Sequence, residues 1–264
     1  MFYDYHMHCS YSADSNTPMK DMIEKSIELG LKEICFTDHV DYDVIGNPNV
    51  KVDYNKYFEE IDFFKNKYAN AISIKKGIEM GLQSHILDRC SKEIREHDFD
   101  FVIGSIHTIN KNELFTGDFH KGKTQYEAYE GYYKTLLEII SSFNDYSVLG
   151  HLDLIKRYGN YDYVLDDSLF SDYLEAILKK VIQNGKGIEL NTSSFRYNLK
   201  DLTPSVNILK MYKDLGGEII TVGSDSHNPG QVAFNFEYVH NILRDIGYKY
   251  VCRFDKMNVE FIKL

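Results

Sequence analysis

Seven short apolar or β-branched runs alternate with helical patterns along the chain, and this alternation limits the folds open to it. The runs lie at 2–6, 33–39, 73–81, 101–107, 146–153, 187–194 and 218–227. Nearly continuous apolar strands that are each followed by a helix are typical of a parallel sheet covered by helices. Seven such units, with no Gly/Ser/Pro-rich linker between them, predict a single α/β domain over residues 1–264 that closes into a barrel.

The segments between the runs carry helix signals of their own. For the first helix, Thr17 is the predicted N-cap, Pro18 suits the first helical position and Gly30 is the predicted end. Further helices are predicted at 54–69, 83–96, 124–143, 166–185, 203–217 and 230–246. The segment 248–254 is a candidate for one more strand, but it carries no candidate ligand.

The overall charge and the cysteine pattern narrow the functional classes. A net charge of −10 with no basic run argues against a general nucleic-acid-binding surface, although a locally positive pocket can still bind an anion. The four cysteines are scattered and form no C-x-x-C pair. We expect no signal peptide, transmembrane helix or lipid anchor, so the sequence predicts a cytoplasmic protein that binds neither nucleic acid nor membrane.

Potential metal ligands occupy the ends of the predicted strands. His6 and His8 share one face of the first strand because side chains alternate along a strand. The other polar strand ends are Asp38, His39, Glu79, His107, His151, Asp153, Glu189, Asn191, Asp225 and His227. Each one alone could be a surface residue or a helix cap, but in a parallel barrel these ends meet at one mouth. Clustered imidazoles and carboxylates suit zinc, manganese and iron, whereas magnesium and calcium prefer oxygen, so we predict a polynuclear transition-metal site.

Seven ordered motifs carry a resemblance to a known family. They are H-M-H at 6–8, F-T-D-H at 36–39, G-I-E-M at 77–80, G-S-I-H at 104–107, G-H-L-D at 150–153, E-L-N-T-S-S at 189–194 and G-S-D-S-H at 223–227. Together they resemble the polymerase and histidinol phosphatase (PHP) superfamily and, within it, the histidinol-phosphate phosphatase branch. The resemblance extends from the first strand to about residue 230. It implies a distorted (β/α)7 TIM-like barrel with two to three divalent ions of manganese, iron or zinc at the C-terminal ends of the strands.

The resemblance also implies a role for each ligand position. The implied ligand sets are His6, His8, Glu79 and Asp225 for one ion, Glu79 as a bridge with His107 and His151 for a second, and Asp14, His39 and His227 for a third. Some family members have histidine in the loop position where this chain has Asp14. Aspartate is an acceptable ligand, but the difference leaves open the metal preference and the occupancy of the third site.

The implied reaction is the direct hydrolysis of a phosphate monoester, most specifically of L-histidinol phosphate in histidine synthesis. Three divalent ions against three carboxylates and one hydroxide would leave the pocket at about +2, which favours a phosphate dianion. A metal-bridging hydroxide is the expected nucleophile, held at Glu79 and Asp225, with no phosphoenzyme. The leaving alkoxide would take a proton from metal-bound water, His39 or His227, and the sequence does not choose among them.

Residues outside the ligand set are candidates for substrate contacts. Arg157 and Arg196 follow strand-end motifs and are predicted to bind phosphate oxygens, although either could instead be a surface arginine that caps a helix. In the loop after the fourth strand, His120 with Glu113 and Asp118 could meet a cationic substrate group, or could belong to a solvated loop.

Three other functions remain open at this stage. The first is another PHP phosphoesterase, acting on phosphotyrosyl protein, nucleotides or small monoesters. The second is a metal-dependent amidohydrolase, which also has H-x-H after its first strand. Many of those use a carboxylated lysine on the fourth strand, where this chain has His107. The third is a non-catalytic metal-binding module, whose signature would be missing ligands, and every expected position here is filled. The sequence does not decide the oligomeric state.

Overall fold

Strands and helices alternate along the computed structural model, which describes residues 2–197 and 199–264. The strands are β1 (Tyr3–Met7), β2 (Glu33–Phe36), β3 (His39–Val44), β4 (Asn47–Val50), β5 (Ser73–Gly81), β6 (Phe101–Ser105), β7 (Thr108–Ile109), β8 (Asn112–Glu113), β9 (Val148–Leu149), β10 (Gly187–Asn191), β11 (Ile220–Gly223), β12 (Tyr250–Asp255) and β13 (Asn258–Lys263). The helices are α1 (Met19–Glu28), α2 (Tyr54–Lys67), α3 (Leu87–Glu96), α4 (Gln125–Ser142), α5 (Ser171–Gln183), α6 (Val206–Asp214) and α7 (Phe236–Ile246).

Seven parallel strands form a nearly closed barrel in the order β1-β2-β5-β6-β9-β10-β11. The first and last of these strands approach each other just beyond the end of β11. There the backbone N–H of Asp225 donates to the carbonyl of His6 (2.7 Å), and that of His8 donates to the carbonyl of Ser226 (2.8 Å). The predicted (β/α)7 barrel is therefore confirmed, and its closure lies at two segments that carry candidate ligands.

The helices follow the predicted pattern with local differences. The helix predicted at 166–185 begins as a 3-10 turn over Asp167–Phe170 before α5, and the one predicted at 230–246 begins only at Phe236, after a turn at Pro229–Gln231. Gly30, with φ of +74°, follows α1 as predicted, because glycine tolerates this left-handed conformation. Within residues 2–197 and 199–264, no helix is long and apolar enough to cross a membrane.

Thr17 does not cap α1, contrary to the prediction. The helix begins at Met19, and Pro18 occupies the cap position without a side-chain cap. The Thr17 hydroxyl instead donates to the carbonyl of His227 (2.9 Å), and the Ser15 hydroxyl donates to the same carbonyl (2.9 Å). The loop after β1 is thus fastened to the loop after β11, since its hydroxyls bind across the barrel mouth rather than along the helix.

Two short hairpins at the mouth were not predicted. His39 was expected to end the second strand, but it begins β3, which pairs in parallel with β5 through His39 and Glu79 and then turns back as β4. The second hairpin joins β7 and β8 directly after His107. Both hairpins therefore extend the barrel wall beyond the strand ends and frame the entrance.

The C-terminal hairpin β12–β13 packs beneath the opposite end of the barrel. The segment predicted as one more strand forms β12, but it pairs antiparallel with β13 rather than joining the barrel. Phe254 and Cys252 pack with Tyr5, Phe101 and other buried residues that lie at this end. The Tyr5 hydroxyl donates to Glu33 (2.5 Å) and accepts from the backbone N–H of Phe254 (2.9 Å). The hairpin thus seals the barrel with apolar contacts and hydrogen bonds.

Replacing Phe254 with Ala is expected to lower the free energy of unfolding by about 3–5 kcal/mol, because the change leaves a cavity among packed rings. The Phe254 ring is buried, with centroids 5.0 Å from Phe101 and 6.5 Å from Tyr5. Urea unfolding of the metal-loaded protein would measure the change. The matched control is Phe261→Ala on β13, where the ring is 45% exposed and a loss of about 1 kcal/mol or less is expected. Equal losses would contradict a sealing role.

Candidate metal centre

The carboxylate of Glu79, near the end of β5, lies at the centre of the barrel mouth and is completely buried. Oε1 accepts from the Ser105 hydroxyl (2.7 Å). Its nearest imidazole nitrogens are His6 Nε2 (3.1 Å) and His39 Nδ1 (3.0 Å) at Oε2, and His107 Nε2 (3.1 Å) and His151 Nε2 (2.7 Å) at Oε1. Burial alone would raise the pKa of this carboxyl, but the neighbouring imidazoles, led by His6 and His107, hold the pKa well below its usual range.

His6, His8 and Asp225 bring three ligand atoms together beside Oε2 of Glu79. The two Nε2 atoms are 3.1 Å apart, and Asp225 Oδ1 lies 3.8 Å from the first and 3.5 Å from the second. Two nitrogen ligands of one tetrahedral ion, each bonded at about 2.0–2.1 Å, stand about 3.3 Å apart. Two unprotonated imidazole nitrogens would otherwise repel at this distance. The donor set therefore fits a divalent transition metal.

The two oxygens of Glu79 face two different sets of imidazoles. Oε2 faces His6, and His8 Nε2 lies 3.6 Å from the same oxygen, whereas Oε1 faces His107 and His151. A carboxylate that offers one oxygen to each side is a suitable bridge between neighbouring metals. The predicted second ligand set is thus brought together around Oε1.

The third predicted set meets at Asp14, in the loop after β1. Asp14 Oδ2 lies 3.0 Å from His227 Nε2 and 3.4 Å from His39 Nε2. The rings of His39 and His227 stack on the ring of His8, with centroid separations of 4.3 and 4.2 Å. In the described residues, four overlapping groups hold their ligand atoms within 4.8 Å of one another: His8, His39 and His227; His6, Glu79 and His151; His6, His8 and Asp225; and His39, Glu79 and His107. All nine predicted ligand residues therefore lie in one cluster.

The second ring nitrogen of several histidines is held by a neighbouring group. The pairs are His6 Nδ1 with Glu189 Oε1 (2.5 Å), His8 Nδ1 with Ser12 Oγ (3.0 Å), His107 Nδ1 with Asp41 Oδ1 (3.0 Å) and His227 Nδ1 with the carbonyl of Asp225 (3.1 Å). Such contacts fix the ring orientation and leave the opposite nitrogen free for a metal.

Sequence reasoning assigned no role to Glu189 or Asp41. The position of Glu189 at a strand end could have indicated its contact with His6. For Asp41, the available signal was its place two residues after His39, on the same face of a strand. Two further polar strand ends also lie outside the ligand set. Asp38 accepts from the hydroxyl of Ser12 (2.8 Å), the partner of His8, whereas Asp153 pairs with a lysine, at 2.8 Å from Nζ of Lys156.

The two predicted phosphate-binding arginines lie on different sides of Asp225. Arg157 has one Nη at 3.7 Å from Asp225 Oδ2, donates from it to the Ser193 hydroxyl, and is almost completely buried. Arg196 donates to the carbonyls of Ser224 (2.9 Å) and Asp225 (2.6 Å). Arg157 thus approaches the carboxylate from the pocket, while Arg196 holds the backbone that presents it.

Of the three loop residues suggested for a cationic substrate group, only Glu113 interacts with the cluster. It is partly buried on β8, and burial followed by the charge of Asp41 raises the pKa of its carboxyl, while His107 opposes the rise. The His120 ring pairs with the Tyr161 hydroxyl (3.3 Å), and Asp118 pairs with Lys121 (2.5 Å).

The fold and the cluster define the class of this protein as a parallel α/β barrel whose mouth is built to bind metal ions. A family model for the PHP domain matches residues 4–193, and the chain belongs to this family. The resemblance predicted from the motifs is therefore confirmed.

Individual relatives match over nearly the whole chain. A histidinol-phosphatase of Lactococcus lactis is 31% identical over 259 residues, covering 97% of this chain and 96% of its own. A probable histidinol-phosphatase of Clostridium acetobutylicum is 33% identical over 242 residues, covering 90% and 91%. The crystal structure of the L. lactis histidinol phosphate phosphatase, complexed with zinc, L-histidinol and phosphate, superposes with a TM-score of 0.92 over 98% of both chains, at 31% identity.

Replacing Gly81 with Ala is expected to weaken divalent-metal binding by about 10–100-fold, because it displaces a carboxylate that orients a ligand. A Cβ at Gly81 would lie 1.8 Å from Asp41 Oδ1 and 3.5 Å from His107 Nδ1. Titration of metal-stripped protein with zinc or manganese against a competing chelator would measure the affinity. Gly131→Ala in α4 is the control, since its Cβ would make only an ordinary contact at 3.5 Å. Equal affinities for the two variants would contradict this role of Asp41.

Proposed function

We propose that the protein is a metal-dependent phosphoric monoester hydrolase, a histidinol-phosphatase that converts L-histidinol phosphate and water into L-histidinol and phosphate. The observation that carries the proposal is the match to the L. lactis enzyme, which extends over 98% of both chains, together with a cluster of nine potential ligands at the mouth. The four cysteines are free and buried, which agrees with a reducing cytoplasm as the proposed location.

Two to three divalent ions of manganese, iron or zinc are proposed for the cluster. The proposed ligands are His6, His8, Glu79 and Asp225 for one ion, Glu79, His107 and His151 for the next, and Asp14, His39 and His227 for the third. When bound, such ions lower the pKa of water to about 7 and neutralise charge on the phosphoryl group. The rings of His6, His8 and His107 would be kept in their binding orientation by Glu189, Ser12 and Asp41, respectively.

Arg157 and Arg196 are proposed to bind the phosphoryl oxygens. A guanidinium has five N–H donors, and the two carbonyls that Arg196 binds leave it further donors for an anion. Arg157 is held beside Asp225 and so close to the proposed ions. Substrate oxygens bound between arginine and metal would be oriented for in-line attack by water.

With the third site empty, the proton for the leaving alkoxide is proposed to come from His39 or His227. Their side chains are 17% and 23% exposed, whereas those of His6 and His8 are completely buried. Both share the carboxylate of Asp14, which would stabilise either imidazolium. With an ion in the third site, the two imidazoles would be ligands, and water on the ion would supply the proton instead. Glu79 and Asp225, the other proposed catalytic residues, would hold the attacking water through the ions.

The first test is phosphate release from L-histidinol phosphate beside phosphotyrosine, nucleotide and sugar monoesters. With manganese, zinc or iron supplied, we expect kcat/KM for L-histidinol phosphate to exceed the others by about 10³-fold, or about 4 kcal/mol of discrimination. Chelation should abolish turnover, and added metal should restore it. Similar slow turnover of the whole panel would retain the phosphatase chemistry and overturn the histidinol assignment.

Glu113→Gln is expected to reduce kcat/KM for L-histidinol phosphate by about 10–100-fold, the range for losing a hydrogen bond to a charged group. The reason is that Glu113 lies near Asp41 and His107, where it can accept from the substrate ammonium. Turnover of p-nitrophenyl phosphate, which has no ammonium group, should not change. Asp118→Asn, in the same loop but paired with Lys121, is the control. A parallel loss on both substrates would contradict a role in specificity.

A further inference from the structure

Asn191, the last residue of β10, is completely buried between two carboxylates of the mouth. Its Nδ2 lies 3.2 Å from Glu189 Oε2 and 3.4 Å from Asp225 Oδ2, with His6 Nδ1 at 3.5 Å. The first of these carboxylates orients His6, and the second is a proposed ligand. One amide group therefore contacts both a proposed metal ligand, Asp225, and the carboxylate of Glu189, which orients another.

The other end of the Asn191 amide faces Ser193. Asn191 Oδ1 accepts from the Ser193 backbone N–H (2.8 Å) and from its hydroxyl (2.6 Å). These contacts fix the amide orientation, because a flipped amide would set its oxygen against two carboxylates and its NH2 against an N–H donor. The Ser193 hydroxyl donates its only hydrogen to Asn191, so it can act only as an acceptor toward Arg157.

A chain of three hydrogen bonds runs in one direction from Arg157 to Asp225. Arg157 donates to Ser193, Ser193 donates to Asn191, and Asn191 donates toward Asp225. The two ends of the chain also face each other directly: Nη2 of Arg157 is 3.7 Å from Asp225 Oδ2, within ion-pair distance but beyond hydrogen-bond distance. Both side chains are more than 90% buried, where a guanidinium and a carboxylate attract each other strongly.

We propose that Asn191 and Ser193 are positioning residues that keep Arg157 and Asp225 from closing into a direct hydrogen-bonded ion pair. Ser193 holds the guanidinium, and Asn191 occupies a lone pair of the carboxylate, so that Arg157 stays available for phosphate and Asp225 for metal. We call the hydrogen bonds from Arg157 through Ser193 and Asn191 to Asp225 the relay. Without the relay, the guanidinium of Arg157 would move onto the carboxylate of Asp225 and away from the substrate. This inference rests on the proposed function, because it assumes that Arg157 binds a phosphoryl group.

Ser193→Ala in the metal-loaded protein tests the proposal with inorganic phosphate as the probe. The expected result is an increase of about 10-fold in both the KM for L-histidinol phosphate and the inhibition constant for phosphate, the range for one hydrogen bond to a charged group. The metal content should be that of the wild type, and kcat should fall by a smaller factor than KM rises. A merely structural defect would instead lower stability and metal content together.

The adjacent Ser194→Ala is the matched control. Ser194 is also completely buried, but its hydroxyl has no hydrogen-bond partner among the residues that the structure describes. A second variant, Asn191→Asp, keeps the acceptor for Ser193 and loses the donor toward Asp225, so it should weaken phosphate inhibition as well. If the wild type is active and phosphate inhibits the Ser193 and Ser194 variants equally, the relay is overturned while the proposed function stands. A wild type that neither hydrolyses phosphate monoesters nor binds phosphate would overturn the proposed function and the relay with it.

Discussion

The buried carboxylate of Glu79 is the interaction on which the mouth of this barrel depends. An isolated carboxylate without water would be strongly destabilised, so its burial requires compensating positive charge. Imidazoles carried by β1, β3 and the loops after β6 and β9 surround this carboxylate, and only the closed barrel brings them to one point. They would supply the positive charge either as imidazolium groups or through the metal ions proposed to bind them. The same arrangement gives each oxygen of Glu79 its own set of nitrogens. Folding therefore produces the same geometry that is proposed to bind metal, and the position of Glu79 connects the two.

Three glycines keep space open around this centre. Beyond Gly81, a Cβ at Gly223 would lie 2.3 Å from Glu189 Oε1 and 2.4 Å from His6 Cβ, and one at Gly150 would lie 2.5 Å from the Ser105 hydroxyl. The groups that would be displaced each hold a residue of the cluster: Asp41 contacts His107, Glu189 contacts His6, and Ser105 donates to Glu79. Gly150 in the G-H-L-D motif and Gly223 in the G-S-D-S-H motif thus have a steric explanation. A larger residue at either position would displace Ser105 or Glu189 from the proposed ligand that it holds.

The barrel and the ligand cluster could be predicted because both depend on patterns within single strands. Seven apolar runs with polar ends determine which residues meet at the mouth, whatever the details of the loops. The hairpin β7–β8 could not be predicted, since each of its strands has only two residues. The strand β3 does alternate polar and apolar residues over His39–Val44, so it could have been predicted, but we expected His39 to end the preceding strand. The contact of Asp41 with His107 depends on the pairing of β3 with β5, a tertiary register that no local pattern contains. For the same reason, the sequence did not show that Thr17 binds the carbonyl of His227 or that Arg196 binds two backbone carbonyls.

The hairpin that seals the lower end of the barrel connects two segments that are far apart in the sequence. The hydroxyl of Tyr5 and the backbone of Phe254 bind each other across 249 positions of sequence. During synthesis, the first strand therefore emerges from the ribosome long before the segment that covers it exists. Until then the apolar lower end of the barrel stays open to water and to other nascent chains, so this part of the core is completed only after residues 250–263 have been synthesised.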